Sequence, residues 1–145
     1  MRLTSSVFQN AEKIPDLYTC RGEGFNPPLM IENVPVEAVS LAIIVDDPDA
    51  PNKVFTHWLL WNINPDQILI SENSIPAGSI QGTNSGGHNS YYPPCPPFAT
   101  HHYYFRLFAL NISLALEKNT SREKLLEAMQ MHILDKAQLM GTSTG

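Results

Sequence analysis

Five side chains able to move protons or hold ions stand beside apolar runs. They are Asp47 and Asp49 in Asp46-Asp-Pro-Asp-Ala-Pro51, His57 ahead of Trp58, and His101 and Tyr103 in His101-His-Tyr103. Between Lys53 and Arg106 the chain has no Lys or Arg, and only Asp66 and Glu72 are acidic. Four of the five histidines (His57, His88, His101 and His102) nevertheless fall in that gap. Four readings compete for such a set. Asp47 and Asp49 could form Asx-turns around Pro48, with the histidines as hydrogen-bonded edges of a core. Two Asp and two His could bind zinc or a related metal, but no compact ligand motif such as H-E-x-x-H occurs. Hydrolysis needs a nucleophile or an activated water beside a base. No G-x-S-x-G elbow is found, and Ser85 in Asn84-Ser-Gly-Gly87 is a weak candidate. Lastly, imidazoles, a tyrosine hydroxyl and loop amides can hold a phosphate without Lys or Arg. Carboxylates would repel a dianion there, so Asp47 would share a proton with the ligand or orient a histidine.

These residues need strands to bring them together. Leu41-Ala-Ile-Ile-Val45, Trp58-Leu-Leu-Trp-Asn-Ile63 and Tyr103-Tyr-Phe-Arg-Leu-Phe-Ala-Leu110 are short runs whose β-branched and aromatic content predicts buried strands. Side chains alternate along a strand, so Ile43, Val45, Asp47 and Asp49 share a parity, although Pro48 weakens the argument beyond Asp47. By the same rule His101, Tyr103, Phe105 and Leu107 take one face, and His102, Tyr104, Arg106 and Phe108 the other. Residues 27–31 and 33–35 read as strand edges and turns. The stretch from Pro76 to Thr100, rich in Gly, Asn, Ser and Pro, is a long loop of the kind that carries function. Within it Tyr91-Tyr-Pro-Pro-Cys-Pro-Pro97 predicts a stiff wall, with Pro94, Pro96 and Pro97 holding it, because proline locks φ near about −65°. Its X-Pro bonds also invite a cis peptide. Further on, Thr120-Ser-Arg-Glu123 fits a capping box with Thr120 as N-cap. Leu125, Leu126, Met129, His132 and Ile133 recur at helical spacing, and Leu139-Met140 extend that face before Gly141. This predicts an amphipathic C-terminal helix packed against a sheet.

A chain of 145 residues with 43% hydrophobic and 16% charged residues fits one domain spanning 1–145, and it does not read as disordered. Its 12 prolines oppose a helical bundle, since an interior proline costs a helix about 3 kcal/mol. The net charge of −5 and the lack of a basic run exclude nucleic acid as a partner. The N-terminus has no apolar h-region, and no stretch approaches the roughly 18 apolar residues of a membrane span. The expectation is a cytoplasmic protein without an integral membrane segment. Cys20 and Cys95 are too few and too far apart for a disulfide scaffold or zinc site, so two reduced, partly buried thiols are expected, with a long-range bridge as the alternative.

At these residues the chain resembles the phosphatidylethanolamine-binding protein family, which includes Raf kinase inhibitor proteins and bacterial relatives. Asp47-Pro-Asp-Ala-Pro51 is similar to the family's D-P-D-x-P motif, and His57-Trp58 to its H-W or H-F element. Tyr91 to Pro97, followed by His101-x-Tyr103-x-Phe105, resembles its second motif. Pro15, Tyr18-Thr-Cys20, the turn before Leu29 and the stretch ending at Gly141 also follow the bacterial pattern.

The resemblance implies a mainly β fold of two antiparallel sheets, the larger one central and Greek-key-like, with C-terminal helices. It also implies a small cavity for phosphate-like headgroups of the phosphorylethanolamine type, lined by Asp47, Asp49, His57, Pro97, His101 and Tyr103, with Tyr91 nearby. Two positions depart from the family pattern. Tyr92-Pro93-Pro94 replaces a Gly-Gly-Pro, removing an amide donor at 93, and His102 replaces a common Arg. A weaker or more pH-dependent anion site is therefore expected. The function implied is non-catalytic binding or regulation, without cofactor or metal. The alternatives are a protease or kinase inhibitor acting through a surface loop and, ranked below it, an enzyme hydrolysing a small phosphoester or ester. Partners implied are the small ligand and an unidentified kinase or protease, with a homodimer among the open oligomeric states.

Overall fold

The computed structural model describes residues 1–145. In chain order the elements are β1 (Arg2–Thr4), β2 (Leu29–Glu32), β3 (Ser40–Asp47), β4 (Phe55–Ile63), β5 (Leu69–Ile70), β6 (Ile80–Gln81), β7 (Thr100–Leu110), α1 (Arg122–Met129) and β8 (Ile133–Thr144). Two antiparallel sheets form: a small one in the order β1-β2-β5, and a large central one in the order β6-β4-β3-β7-β8. The three apolar runs of the sequence supply the central strands β4, β3 and β7.

Why those runs are continuous and not alternating follows from the layering. One face of the large sheet, carrying Ile43, Val45, Trp58, Leu60, Tyr103, Phe105 and Leu107, packs on Leu3, Leu29, Ile31 and Ile70 of the small sheet. The opposite face, carrying Ala42, Ile44, Leu59, Trp61 and Phe108, packs on Leu125 and Met129 of α1. A strand covered on both faces has no solvent side on which to place polar residues. Each fully buried Leu or Ile contributes about 1.5–3 kcal/mol.

The C-terminal segment corrects the sequence reading. The helix is one short element, Arg122–Met129, and its N-cap is Ser121, whose Oγ accepts from the Lys124 amide. Thr120 instead donates to the Glu117 carbonyl at 2.6 Å. Met131, at φ +73°, turns the chain out of the helix, and residues 133–144 run as β8 along β7. The helical spacing held only for Leu125 and Met129, which are buried; Ile133 and Leu134 are exposed. Beyond them a two-residue period takes over, and Leu139 and Ser143 are buried on the inner face. Gly141 is not a helix stop but a close approach, because a Cβ there would lie 2.5 Å from Ile14 and 2.7 Å from Phe8. Long-range pairing with an 11-residue strand outweighed a local amphipathic pattern.

Two further expectations are corrected. No peptide bond is cis. Cys20 and Cys95 are not free thiols but form a disulfide, with Cα atoms 5.4 Å apart. Separation along the chain misled here, because tertiary contacts dock the proline wall onto the turn that follows the short 3-10 segment Asp16–Tyr18. The Cys20 amide donates to Pro94 O at 3.0 Å, and the Tyr91 hydroxyl donates to Tyr18 O at 2.9 Å.

Candidate functional site

The ends of β3, β4 and β7 meet at one end of the large sheet, on the face that also packs against the small sheet. There they enclose a cavity of about 320 Å³ lined by Asp47, Ala50, Pro51, Phe55, His57, Tyr92, Cys95, Pro96, Pro97, His101 and Tyr103. Strand alternation places Asp47 after Val45, and Tyr103 and His101 ahead of Phe105, on that face, as the sequence predicts. His57 arrives there by a different route. Asp46 pairs with Thr56 and Val45 with Trp58, so His57 is the extra residue of a β-bulge. The bulge breaks the alternation and sends His57 and Trp58, neighbours in sequence, toward the same side.

Each of the two cavity histidines is held on one side. Asp47 accepts from the Asp49 amide through Oδ1 at 2.8 Å, closing an Asx-turn over Pro48. Its Oδ2 meets His101 Nδ1 at 2.7 Å. His57 Nδ1 donates to Tyr92 O at 2.7 Å, and the Tyr92 amide returns a bond to His57 O at 2.8 Å. A carbonyl can only accept, so Nδ1 of His57 carries the proton, and its Nε2 is a bare lone pair whenever the ring is neutral. Burial pushes the His57 imidazole below its ordinary value of 6.5; the Tyr92 carbonyl and the Asp47 charge oppose this with less weight. The Tyr103 hydroxyl makes no hydrogen bond within the protein, and burial pushes its pKa up, so it remains a neutral donor. The rings of Phe55 and Tyr103 lie 4.7 and 5.1 Å from that of His57.

Asp47, His57, Pro97, His101 and Tyr103 thus come together as read from the sequence. Asp49 and Tyr91 do not line the cavity. Asp49 accepts from the His102 amide at 2.8 Å and from His102 Nδ1 at 2.6 Å, which holds its carboxyl below the usual range. It therefore ties the Asp-Pro-Asp turn to the start of β7. Tyr91 stands behind the wall, edge-on to Trp58 at 5.6 Å, and burial pushes its hydroxyl pKa up. Ser85, the weak nucleophile candidate, accepts from the Thr56 amide at 2.8 Å and clasps β4. Phe55 is a wall residue that sequence reasoning missed, and Tyr92, read only as part of the proline-rich wall, also lines the cavity. The one signal for them was aromatic residues close to the histidine motif and the proline run. Pro51, Pro96 and Pro97 border the cavity, whereas Pro94 is buried and Pro93 packs on Gly24.

The phosphatidylethanolamine-binding protein family model matches residues 4–144. A UPF0098 protein of Methanothermobacter thermautotrophicus is 49% identical over 146 residues, covering 97% of each chain. The crystal structure of a phosphatidylethanolamine-binding protein homologue from Chlamydia trachomatis, CT736, superposes with a TM-score of 0.96 at 42% identity, covering 99% of this chain and 97% of that one. Escherichia coli YbcL shares the fold, with a TM-score of 0.93 at 24% identity over 99% of this chain and 98% of that one. With both sequence motifs at one end of the central sheet and the match running over nearly its whole length, the chain belongs to the phosphatidylethanolamine-binding protein family.

Proposed function

We propose that the cavity binds a small, monoanionic phosphate-like headgroup of the phosphorylethanolamine type and that the protein acts as a binding or regulatory protein without turnover. One observation carries this reading. The second nitrogen of His57, the second nitrogen of His101 and the Tyr103 hydroxyl have no partner within the protein, while Tyr92 O and Asp47 lock the other side of each histidine. Groups fixed on one side and free on the other are pre-organised for a ligand.

The protonation states define the ligand. Neutral His57 offers a lone pair, which accepts from a protonated phosphate oxygen and repels a fully ionised one. Tyr103 donates to an ionised oxygen. His101 donates through Nε2 once it carries both protons, with the Asp47 carboxylate as countercharge. Both carboxylate oxygens of Asp47 are occupied, so it serves as an orienting group and not as a base facing the ligand.

Calorimetric titration with phosphorylethanolamine between pH 5.5 and 8 tests the reading. Affinity should rise as pH falls, because phosphate monoesters gain their proton at about pH 6 and the His57 lone pair accepts only from a protonated oxygen. His101→Ala should weaken binding by about tenfold or more, equivalent to about 1.4 kcal/mol. An unchanged affinity in that variant, or binding that strengthens as pH rises, would overturn the assignment. The exposed Cys20–Cys95 bond bears on location, since such bonds are reduced in most cytosols and persist in oxidising compartments. Its state in cells decides between the cytoplasmic expectation and an exported protein. No helix is long and apolar enough to cross a membrane.

A further inference from the structure

The other face of the same strand ends carries a second polar cavity, of about 240 Å³. Asp46 and Thr56, neighbours of Asp47 and His57, belong to this side. Lys53, Thr56, Thr83, Ser85, Ser121 and Arg122 line it, together with the exposed Glu123. We propose that this second cavity is an oxyanion site for a compact phosphate, held by Lys53 and Arg122 and steered by the surrounding hydroxyls.

Charge supports it first. Asp46 is 1% exposed and is shared by two guanidinium groups, Arg106 Nε at 3.2 Å and Arg122 Nη2 at 3.1 Å. One carboxylate cannot neutralise two permanent cations, so the cluster keeps a positive charge. Lys53 makes no ion pair and adds another. Glu123 is the sole acidic residue lining the cavity. A local excess of positive charge in a chain of net charge −5 marks an unusual spot on this surface.

Unused hydrogen-bonding capacity supports it second. Arg122 spends one of its donors on Asp46, its Nη1 has no acceptor in the protein, and its buried Nε has none either. The Ser85 hydroxyl accepts from the Thr56 amide, which leaves its own proton to donate. The planar guanidinium fork and nearby hydroxyls fit a tetrahedral oxyanion. The volume has room for a phosphate or a small phosphomonoester.

The two cavities differ in a way an experiment can read. Permanent charges should favour dianionic phosphate, so affinity here should rise from pH 6 to pH 8, opposite to the histidine cavity. Net positive charge should also favour inorganic phosphate over phosphorylethanolamine, whose ammonium group is repelled. The test uses the His101→Ala protein, which removes one donor of the first cavity. Inorganic phosphate and phosphorylethanolamine are each titrated at pH 6 and pH 8, and the backbone amide resonances of Thr83, Ser85, Ser121 and Arg122 are followed by NMR. Phosphate should shift those resonances more tightly at pH 8, by several-fold, and phosphorylethanolamine should bind more weakly. Lys53→Gln should reduce phosphate affinity by about tenfold; this residue is exposed, so the fold should stand even if Arg122→Gln proves unstable. Absence of shifts at millimolar phosphate, shifts indifferent to Lys53→Gln, or affinity that falls as pH rises would each overturn the proposal. Stronger binding of phosphorylethanolamine than of phosphate would overturn its ligand class.

Discussion

Asp46 and Asp47 are consecutive residues at the end of one strand, both nearly buried, and they are held by opposite means. Asp46 faces the helix side and meets two guanidinium groups that stay charged at every pH the protein can survive. Asp47 faces the small-sheet side and meets an imidazole and a backbone amide. The first arrangement is a fixed electrostatic clamp that joins β3, β7 and α1. The second holds an imidazole by one nitrogen, and that imidazole lines the cavity. A single step along a strand therefore separates a carboxylate clamped by two arginines from one bonded to a cavity histidine, because alternation sends the two to different environments.

Removing the clamp's cations should show the largest effect. Arg106→Leu with Arg122→Leu leaves Asp46 buried without a countercharge and should cost about 3–5 kcal/mol in urea unfolding. Adding Asp46→Leu should recover most of that loss, because no buried charge then remains. A loss below about 1 kcal/mol in the double variant would show that the carboxylate escapes to water and that the clamp is not structural.

Asp47→Asn should separate function from stability. The amide still accepts from Asp49, so the turn survives, but the countercharge for His101 is gone. Phosphorylethanolamine affinity should fall by about tenfold or more, about 1.4 kcal/mol, while unfolding stability falls by about 1–2 kcal/mol. Unchanged affinity in this variant, or a stability loss as large as the roughly 3–5 kcal/mol of the arginine clamp, would erase the distinction between the two carboxylates.

The smallest effect is the pH dependence of stability from His57. Its folded pKa lies below the ordinary 6.5, with burial as the main cause. Between those two values the unfolded chain binds more protons than the folded one, so stability falls as pH drops through 6.5. The loss is complete once pH passes below the folded value. Comparison of the protein with His57→Gln by urea unfolding between pH 7.5 and pH 5 should show a shallower decline in the variant. An identical decline would place the titration elsewhere.

Much of the site is legible in the sequence because it depends on short-range rules. Asp47, His101 and Tyr103 follow from parity on strands whose apolar runs are plain, and the Asx-turn at Asp47 follows from the Asp-Pro-Asp spacing. Asp49 was legible only as a turn residue, since its direction beyond Pro48 depends on His102 across the sheet. His57 was found by residue type, but its placement beside Trp58 on one face rests on a bulge that shows only in the pairing with β3. Phe55 and Tyr92 became wall residues because the loop before β7 folds back on β4 through paired backbone bonds.

What the amino-acid sequence determined alone is local: which runs become central strands, where prolines and Asx-turns break them, and which polar groups sit at strand ends. Those features follow from side-chain alternation and fixed backbone angles within a few residues. The tertiary structure decided the rest. It made residues 133–144 a strand and not a helix, joined Cys20 to Cys95, and turned Asp46 and Asp47 to opposite fates. Each outcome depends on a partner distant in sequence, and pairing and burial energies exceed the local preferences they overrule.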